Sequence, residues 1–126
     1  DFQDATYLPM DVKCDSMDVR GDDHAKDGRK IPLVSTSAAK KADGTVVVSL
    51  ANVSLDKAQE VVFSLDGLKA PKTVAGEILT CKKVSDFNDF EHPDVVKPAT
   101  FKDAKLKKNT LKVKIPAKSI VVLKIK

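Results

Sequence analysis

Glutamate and histidine are the residue types of this sequence best suited to acid–base catalysis. The glutamates are Glu60, Glu77 and Glu91, and the histidines are His24 and His92. Two carboxylates that act as acid and base across one bond must lie about 5 to 10 Å apart, and a histidine that activates a nucleophile needs a serine or cysteine beside it. The spacing of these residues along the chain indicates neither arrangement. The sequence therefore predicts no catalytic site.

An acidic stretch near the N-terminus is the one candidate for a metal site. Its members are Asp15, Asp18, Asp22, Asp23, His24 and Asp27. A helix–loop–helix calcium site needs oxygen ligands at alternate positions, glycine at position six and glutamate at position twelve. With Asp23 first, Gly28 fits position six, but Ala25 at position three and Val34 at position twelve do not. We expect a solvated acidic loop without metal or cofactor, and we interpret Arg20-Gly21-Asp22, a cell-adhesion tripeptide, as a chance match.

Cysteine content and hydropathy leave the cellular compartment open. Cys14 and Cys81 are too few for a disulfide framework and lack metal-binding spacing, so they either pair once or stay free. No apolar run approaches the roughly 18 residues that span a bilayer, so no membrane partner is expected. The chain starts at Asp1 without an initiator methionine or a signal sequence, and we expect it to be part of a longer protein.

The positive charge of the chain is concentrated at its C-terminus. The net charge is +4, yet residues 97–126 hold ten lysines and a single acidic residue, Asp103. Twenty of the 22 basic residues are lysines, whereas recognition of nucleic acids favours arginine and interleaved aromatic residues. We therefore expect no nucleic-acid partner and predict a solvated outward sheet face and edge. The lysines predicted to lie there are Lys107, Lys108, Lys112, Lys114, Lys124 and Lys126.

Alternation of apolar and polar residues predicts seven strands. They are Thr6–Cys14, Leu33–Lys40, Thr45–Asn52, Glu60–Leu65, Lys72–Cys81, Thr110–Ile115 and Ser119–Ile125. Asp43-Gly44 predicts a hairpin between the second and third strands. The last two strands, joined by Pro116-Ala117-Lys118, are expected to form a terminal hairpin. Gly76 indicates a bulge or a close backbone approach, and Pro9 favours an edge strand or a bend.

Two stretches do not alternate. Residues 15–30 are polar and are expected to form a long surface loop. Residues 86–101 contain three phenylalanines and two valines, and they also contain Pro93 and Pro98. The stretch is too apolar for a solvated linker and too interrupted by proline for a helix, so we expect an ordered, packed excursion. The fold class predicted for residues 1–126 is therefore one all-β domain without substantial helix, an antiparallel β-sandwich of the jelly-roll kind.

Four segments carry a resemblance to a known family. They are Tyr7–Val12, Gly76–Thr80, Asp86–Pro98 and Ile115–Leu123. The chain resembles the C-terminal β-sandwich of α-L-arabinofuranosidases of glycoside hydrolase family fifty-one. The most specific match is the pattern formed by Asn88, Phe90, Pro93, Val96 and Pro98. Asp89 departs from the small hydroxyl residue that is more usual in the family.

The resemblance implies an accessory domain of a retaining exo-enzyme that removes terminal α-L-arabinofuranosyl groups from arabinoxylan or arabinan. The family's catalytic glutamates lie on a separate (β/α)8 barrel, and no position here matches their motifs, so this chain alone is expected to be inactive. Its implied partners are the barrel of the same chain and, through it, arabinose-containing polysaccharide. The alternative is a weak polysaccharide-binding module, although the sequence has no tryptophan and one tyrosine.

We expect residues 88–101, in the second of the two non-alternating stretches, to form part of the surface that faces the missing barrel. A subset of their apolar side chains should be exposed and the rest should lie in the core. The residues assigned to this docking segment are Asn88, Phe90, Pro93, Val95, Val96, Pro98 and Phe101. In the family, an N-terminal segment of the full chain also helps to complete the sandwich. We therefore expect an open sheet edge here and self-association of the excised domain.

Overall fold

The fold is all-β in a computed structural model that describes residues 2–19, 29–68 and 71–126. Within these ranges the chain forms eleven strands and no helix, which confirms the predicted fold class. The strands are β1 (Thr6–Leu8), β2 (Ser16–Val19), β3 (Arg29–Pro32), β4 (Val34–Lys40), β5 (Val46–Asn52), β6 (Gln59–Ser64), β7 (Val74–Thr80), β8 (Ala99–Phe101), β9 (Ala104–Lys107), β10 (Thr110–Ile115) and β11 (Ser119–Ile125).

The described strands pair antiparallel in three sheets. The largest has six strands in the order β1-β4-β5-β11-β7-β8, and the second has three in the order β6-β10-β9. Strands β2 and β3 pair with each other. The two larger sheets enclose one hydrophobic core, to which β5 and β11 contribute from one side and β10 from the other. This arrangement is the predicted sandwich.

Alternation on β10 and β11 builds the centre of that core. Leu111, Val113 and Ile115 are fully buried on β10, and Val121 and Leu123 are fully buried on β11. Burying a side chain of this size stabilises the fold by about 1.5 to 3 kcal/mol. The residues between them on β10 point outward, so the period of two separates core from surface as the sequence predicts.

The predicted terminal hairpin is wrong. β10 pairs with β6 and β9, whereas β11 pairs with β5 and β7. The connection at residues 116–118 carries the chain from one sheet to the other, with Lys118 in the left-handed region at φ 52°. Because both strands bury one apolar face, they pack face to face across the core instead of side by side.

The predicted hairpin between β4 and β5 is confirmed, with Val34 opposite Asn52 and Lys40 opposite Val46. Gly44 supplies the left-handed conformation of its turn at φ 86°. The close approach predicted at Gly76 is also confirmed. A Cβ atom at position 76 would lie 2.9 Å from Cδ2 of Leu123 and 3.0 Å from Cδ1 of Phe101.

Other boundaries differ from the prediction. The first strand ends at Leu8, before Pro9, instead of extending to Cys14, and β1 is an edge strand as Pro9 favours. Residues 15–30 are not wholly a loop, because their described parts contribute to β2 and β3. Strands β8 and β9 were not predicted, since segments of three and four residues are too short to show alternation.

Candidate docking surface

The structure separates Glu60 and Glu77, two of the three glutamates considered for catalysis, and Glu91 is exposed in the connection after β7. Glu60 lies on the outward face of β6 and pairs with Lys112, whose Nζ is 2.9 Å from Oε1 of Glu60. Glu77 lies on the outward face of β7, in the other main sheet, because its neighbours Gly76 and Ile78 face the core. These two carboxylates are on opposite sides of the sandwich and cannot act on one bond.

His92 is held by a local contact with Asp89. The backbone N–H of His92 donates a hydrogen bond to Oδ1 of Asp89, and its Nδ1 lies 3.1 Å from the same oxygen. The N–H of Asp89 donates in turn to the carbonyl of His92 at 3.3 Å. Asp89, which departs from the family pattern, therefore closes a turn in which both the backbone and the ring of His92 take part.

The other sequence candidates give no site within the described residues. There, no group of three or more histidine, cysteine or acidic residues could hold a metal ion. Asp22, Asp23, His24 and Asp27, and with them the Arg20-Gly21-Asp22 tripeptide, lie outside the described residues. Cys14 and Cys81 are both free thiols. The part of the chain that the structure describes has no helix long and apolar enough to cross a membrane.

Residues 81–98 connect β7 to β8, and we call the part after Cys81 the 82–98 loop. Side-chain hydrogen bonds to its own backbone hold it. Oδ2 of Asp86 accepts hydrogen bonds from the N–H groups of Lys82 and Lys83 at 3.1 and 2.8 Å. Asn88 bridges eight residues, since its Nδ2 donates to the Val96 carbonyl at 2.8 Å and its Oδ1 accepts from the Val96 N–H at 2.7 Å. The loop is therefore a fixed structure rather than a loose linker.

This framework turns large apolar side chains toward solvent. Phe90 is fully exposed, and Phe87 and Val95 are 69% and 49% exposed. Val96 is half-buried, and Pro93 and Pro98 are exposed. Phe101 is only 7% exposed and packs in the core. The apolar side chains of the segment divide as expected into an exposed subset, Phe87, Phe90 and Val95, and a core member, Phe101, so the predicted packing holds for Phe101 and not for the exposed subset.

Sequence reasoning missed a second apolar surface next to this loop. Val53, Leu79 and Ile120 are exposed on the outward side of the six-stranded sheet. The signal was present, because Ile78 and Leu79 are consecutive apolar residues in one strand. Since one of them faces the core, the other must lie on the opposite face.

The lysine-rich C-terminus is divided between the two main sheets. Lys112 and Lys114 are exposed on β10 as predicted, whereas Lys124 is half-buried on β11 in the six-stranded sheet. The other lysines predicted to be outward, Lys107, Lys108 and Lys126, are exposed. Glu60 and Asp103 border the same concave surface as Lys105, Lys112 and Lys114, and such mixed charge favours a solvated face.

Comparisons with known proteins agree on one family. A family model described as the alpha-L-arabinofuranosidase C-terminal domain matches residues 1–119. Over 123 residues, or 98% of this chain, the sequence is 51% identical to an intracellular exo-alpha-L-arabinofuranosidase of Bacteroides ovatus, of which it covers 23%. The chain thus spans about a quarter of the length of this relative.

Solved structures give the same result. The crystal structure of the GH51 arabinofuranosidase from Xanthomonas axonopodis pv. citri matches 99% of this chain with a TM-score of 0.87 and 33% identity, over 24% of its own length. AbfB, a family 51 alpha-L-arabinofuranosidase from Bifidobacterium longum, matches 90% of the chain and 21% of its own with a TM-score of 0.74, but at 16% identity it supports the fold alone. The resemblance inferred from the motifs is confirmed, and this chain belongs to the family of alpha-L-arabinofuranosidase C-terminal domains.

Proposed function

We propose that residues 1–126 are the C-terminal accessory domain of a larger α-L-arabinofuranosidase and dock on its (β/α)8 catalytic barrel through the 82–98 loop. The observation that carries this proposal is the exposure of Phe87, Phe90 and Val95 on a loop that hydrogen bonds hold in place. The parent enzyme would remove terminal α-L-arabinofuranosyl groups from arabinoxylan or arabinan with retention of configuration. The domain contributes no catalytic residue to that reaction.

Docking through this loop is favourable for two physical reasons. Removing a phenylalanine side chain from water contributes about 1.5 to 3 kcal/mol, and Phe87 and Phe90 are both available for burial. In addition, Pro93 and Pro98 restrict the backbone, and the hydrogen bonds between Asn88 and Val96 fix it further, so little conformational entropy is lost on docking. Without the barrel, the same apolar surface would favour self-association of the excised domain.

A second candidate function uses the same exposed aromatic rings. Phe87, Phe90 and Tyr7 each present a ring to solvent, as a weak polysaccharide-binding module would require. Phenylalanine lacks the polar group that usually accompanies stacking on a sugar, so docking accounts better for Phe87 and Phe90. Binding of the chain to arabinan in affinity electrophoresis, abolished by Phe90→Ala, would favour this alternative.

The docking proposal is tested in the full-length enzyme with Phe90→Asp. A charge at a buried contact should lower the melting temperature, by about 2 to 4 °C for each kcal/mol lost if the enzyme follows the scaling of domains of 150–250 residues. The matched control is Val62→Asp, since Val62 is 60% exposed on the outward face of the three-stranded sheet. Equal melting temperatures of the two variants would contradict docking through the loop.

A further inference from the structure

The outward faces of the two main sheets differ sharply in chemistry. On the three-stranded sheet the described outward positions are Glu60, Val62, Ser64, Lys105, Lys107, Thr110, Lys112 and Lys114. On the six-stranded sheet they are Tyr7, Ser35, Ser37, Ala39, Val47, Ser49, Ala51, Ala75, Glu77, Leu79, Thr100, Ile120, Val122 and Lys124. Charged residues dominate the first face, whereas Glu77 and Lys124 are the charged members of the second. A chain with 32% charged residues thus leaves one described sheet face nearly uncharged.

The exposed large aliphatic side chains of this face are concentrated at one end. Ala51 on β5, Ile120 on β11 and Leu79 on β7 are opposite one another in the strand register, so they form one row across three neighbouring strands. Ile120 is 47% exposed, and Leu79 and Val53 are also exposed. Together with Cys81 and Val96 these residues line a shallow groove, which we call the sheet groove. Its surface is almost entirely apolar.

The sheet groove is continuous with the 82–98 loop. Val96 lines the groove, and its backbone is the hydrogen-bonding partner of Asn88 in the middle of the loop. The loop therefore contributes Val96 to the wall of the groove, and the same loop carries Phe87 and Phe90. A protein surface that docks on the loop at Val96 would also contact the sheet groove.

We propose that the sheet groove is a second docking surface and that its occupant is the catalytic part of the same polypeptide. This inference rests on the proposed function and extends the docking surface from the loop onto the six-stranded sheet. The relatives from Bacteroides ovatus and Xanthomonas axonopodis are each about four times as long as the region that this chain matches. Each therefore contains further protein large enough to cover both surfaces. A sugar is a poor occupant, because the residues that line the groove include no aromatic ring and expose little polar surface.

The proposal is tested by thiol labelling of the full-length enzyme, followed by peptide mass spectrometry. Three single variants are compared: Ile120→Cys in the sheet groove, Phe90→Cys in the loop and Val62→Cys on the opposite outward face. Ile120→Cys should react at least about ten-fold more slowly than Val62→Cys, because labelling then requires the docked surfaces to open. The two rates should become equal in denaturant. If Ile120→Cys fails to fold, Leu79→Cys on the neighbouring strand replaces it.

Each outcome decides between defined alternatives. Slow labelling at positions 90 and 120, unchanged on dilution, supports both surfaces. Slow labelling at position 90 with fast labelling at position 120 overturns this inference and leaves the proposed function standing. Fast labelling at both positions overturns both proposals. Slow labelling at position 120 that becomes fast on dilution identifies a second copy as the occupant and also overturns the inference.

Discussion

At the scale of single residues, Asn52 connects the two main sheets through its side chain. It is buried at the end of β5. The two N–H groups of its Nδ2 are shared among three carbonyls, those of Lys57 at 2.9 Å, Pro116 at 2.9 Å and Ile115 at 3.2 Å, and its Oδ1 accepts from the N–H of Ser54 at 3.0 Å. One amide thus satisfies the backbone where the chain passes from β10 toward β11.

We predict that Asn52→Ala lowers the free energy of unfolding by about 2 to 4 kcal/mol, because it leaves several buried backbone groups without partners. Asn52→Asp should be at least as destabilising, since a carboxylate of the same shape cannot donate to the three carbonyls. Urea unfolding of the chain measures both effects, with the exposed substitution Ser37→Ala as control. A loss below about 0.5 kcal/mol for Asn52→Asp would show that these donations do not matter.

Gly76 is the second residue with a measurable structural role. A methyl group there would lie 3.1 Å from Cβ of Phe101, which is anchored to the backbone, as well as 2.9 Å from the more flexible end of Leu123. We predict that Gly76→Ala destabilises the domain by about 1 to 3 kcal/mol through overpacking. Ala75→Ser, an exposed neighbour on the same strand, is the matched control in urea unfolding. Equal stability of the two variants would be inconsistent with a close approach at Gly76.

At the scale of elements, the β4–β5 hairpin contains a titratable contact. Oδ1 of Asp43 accepts a hydrogen bond from the N–H of Thr45 at 2.9 Å. Hydrogen bonds from the backbone and then the side chain of Thr45 lower the pKa of Asp43 below its ordinary value of 3.8, and Lys126 and Lys41 lower it slightly further. The charged carboxylate therefore stabilises the folded state. This contribution is complete above the unfolded pKa and is lost as the pH falls through the folded pKa.

We predict that Asp43→Asn lowers the free energy of unfolding near neutral pH and that the difference from the unmodified chain disappears below the folded pKa of Asp43. Asparagine keeps the shape and an acceptor oxygen, so the variant isolates the effect of the charge. Urea unfolding as a function of pH measures it. A difference that stays constant as the pH is lowered from about 7 to about 2 would exclude the carboxylate as its source.

The strands and loops also show which structural features the sequence pattern predicts and which it does not. Alternation located the faces of β10 correctly, because burial follows the period of two, whereas the nearly continuous apolar run of β11 indicates a strand without indicating its faces. The sequence pattern did not identify the partners of these strands, since a strand that buries one face shows the same pattern whether the next strand lies beside it or across the core. Likewise, Phe90 and Phe101 belong to one apolar stretch, yet one is exposed and the other buried. Phe101 lies on β8, where it is paired opposite Gly76 of β7 and faces the core, whereas Phe90 lies in the 82–98 loop, and no period in the sequence indicates that boundary.

At the scale of the whole molecule, the outward faces of the two main sheets differ, because one is mainly charged and the other is nearly uncharged with an apolar groove at one end. The three-stranded sheet presents lysines with Glu60 and Asp103 to solvent, whereas the 82–98 loop and the sheet groove present apolar side chains. Such an asymmetry is typical of a domain that is solvated on one side and covered on the other. Glu60 and Glu77, which a catalytic role would have to bring together, lie on opposite outward faces. The architecture therefore fits an accessory role in a larger enzyme.

The most direct test of this account is hydrolysis of an aryl α-L-arabinofuranoside by residues 1–126 alone, beside an equimolar amount of the full-length enzyme. We predict turnover by the full-length enzyme and none above buffer by the isolated chain, because Glu60 and Glu77 lie on opposite outward faces and no position of the chain matches the catalytic motifs of the family. Turnover by the isolated chain that survives repurification and disappears in Glu60→Gln, Glu77→Gln or Glu91→Gln would contradict the account.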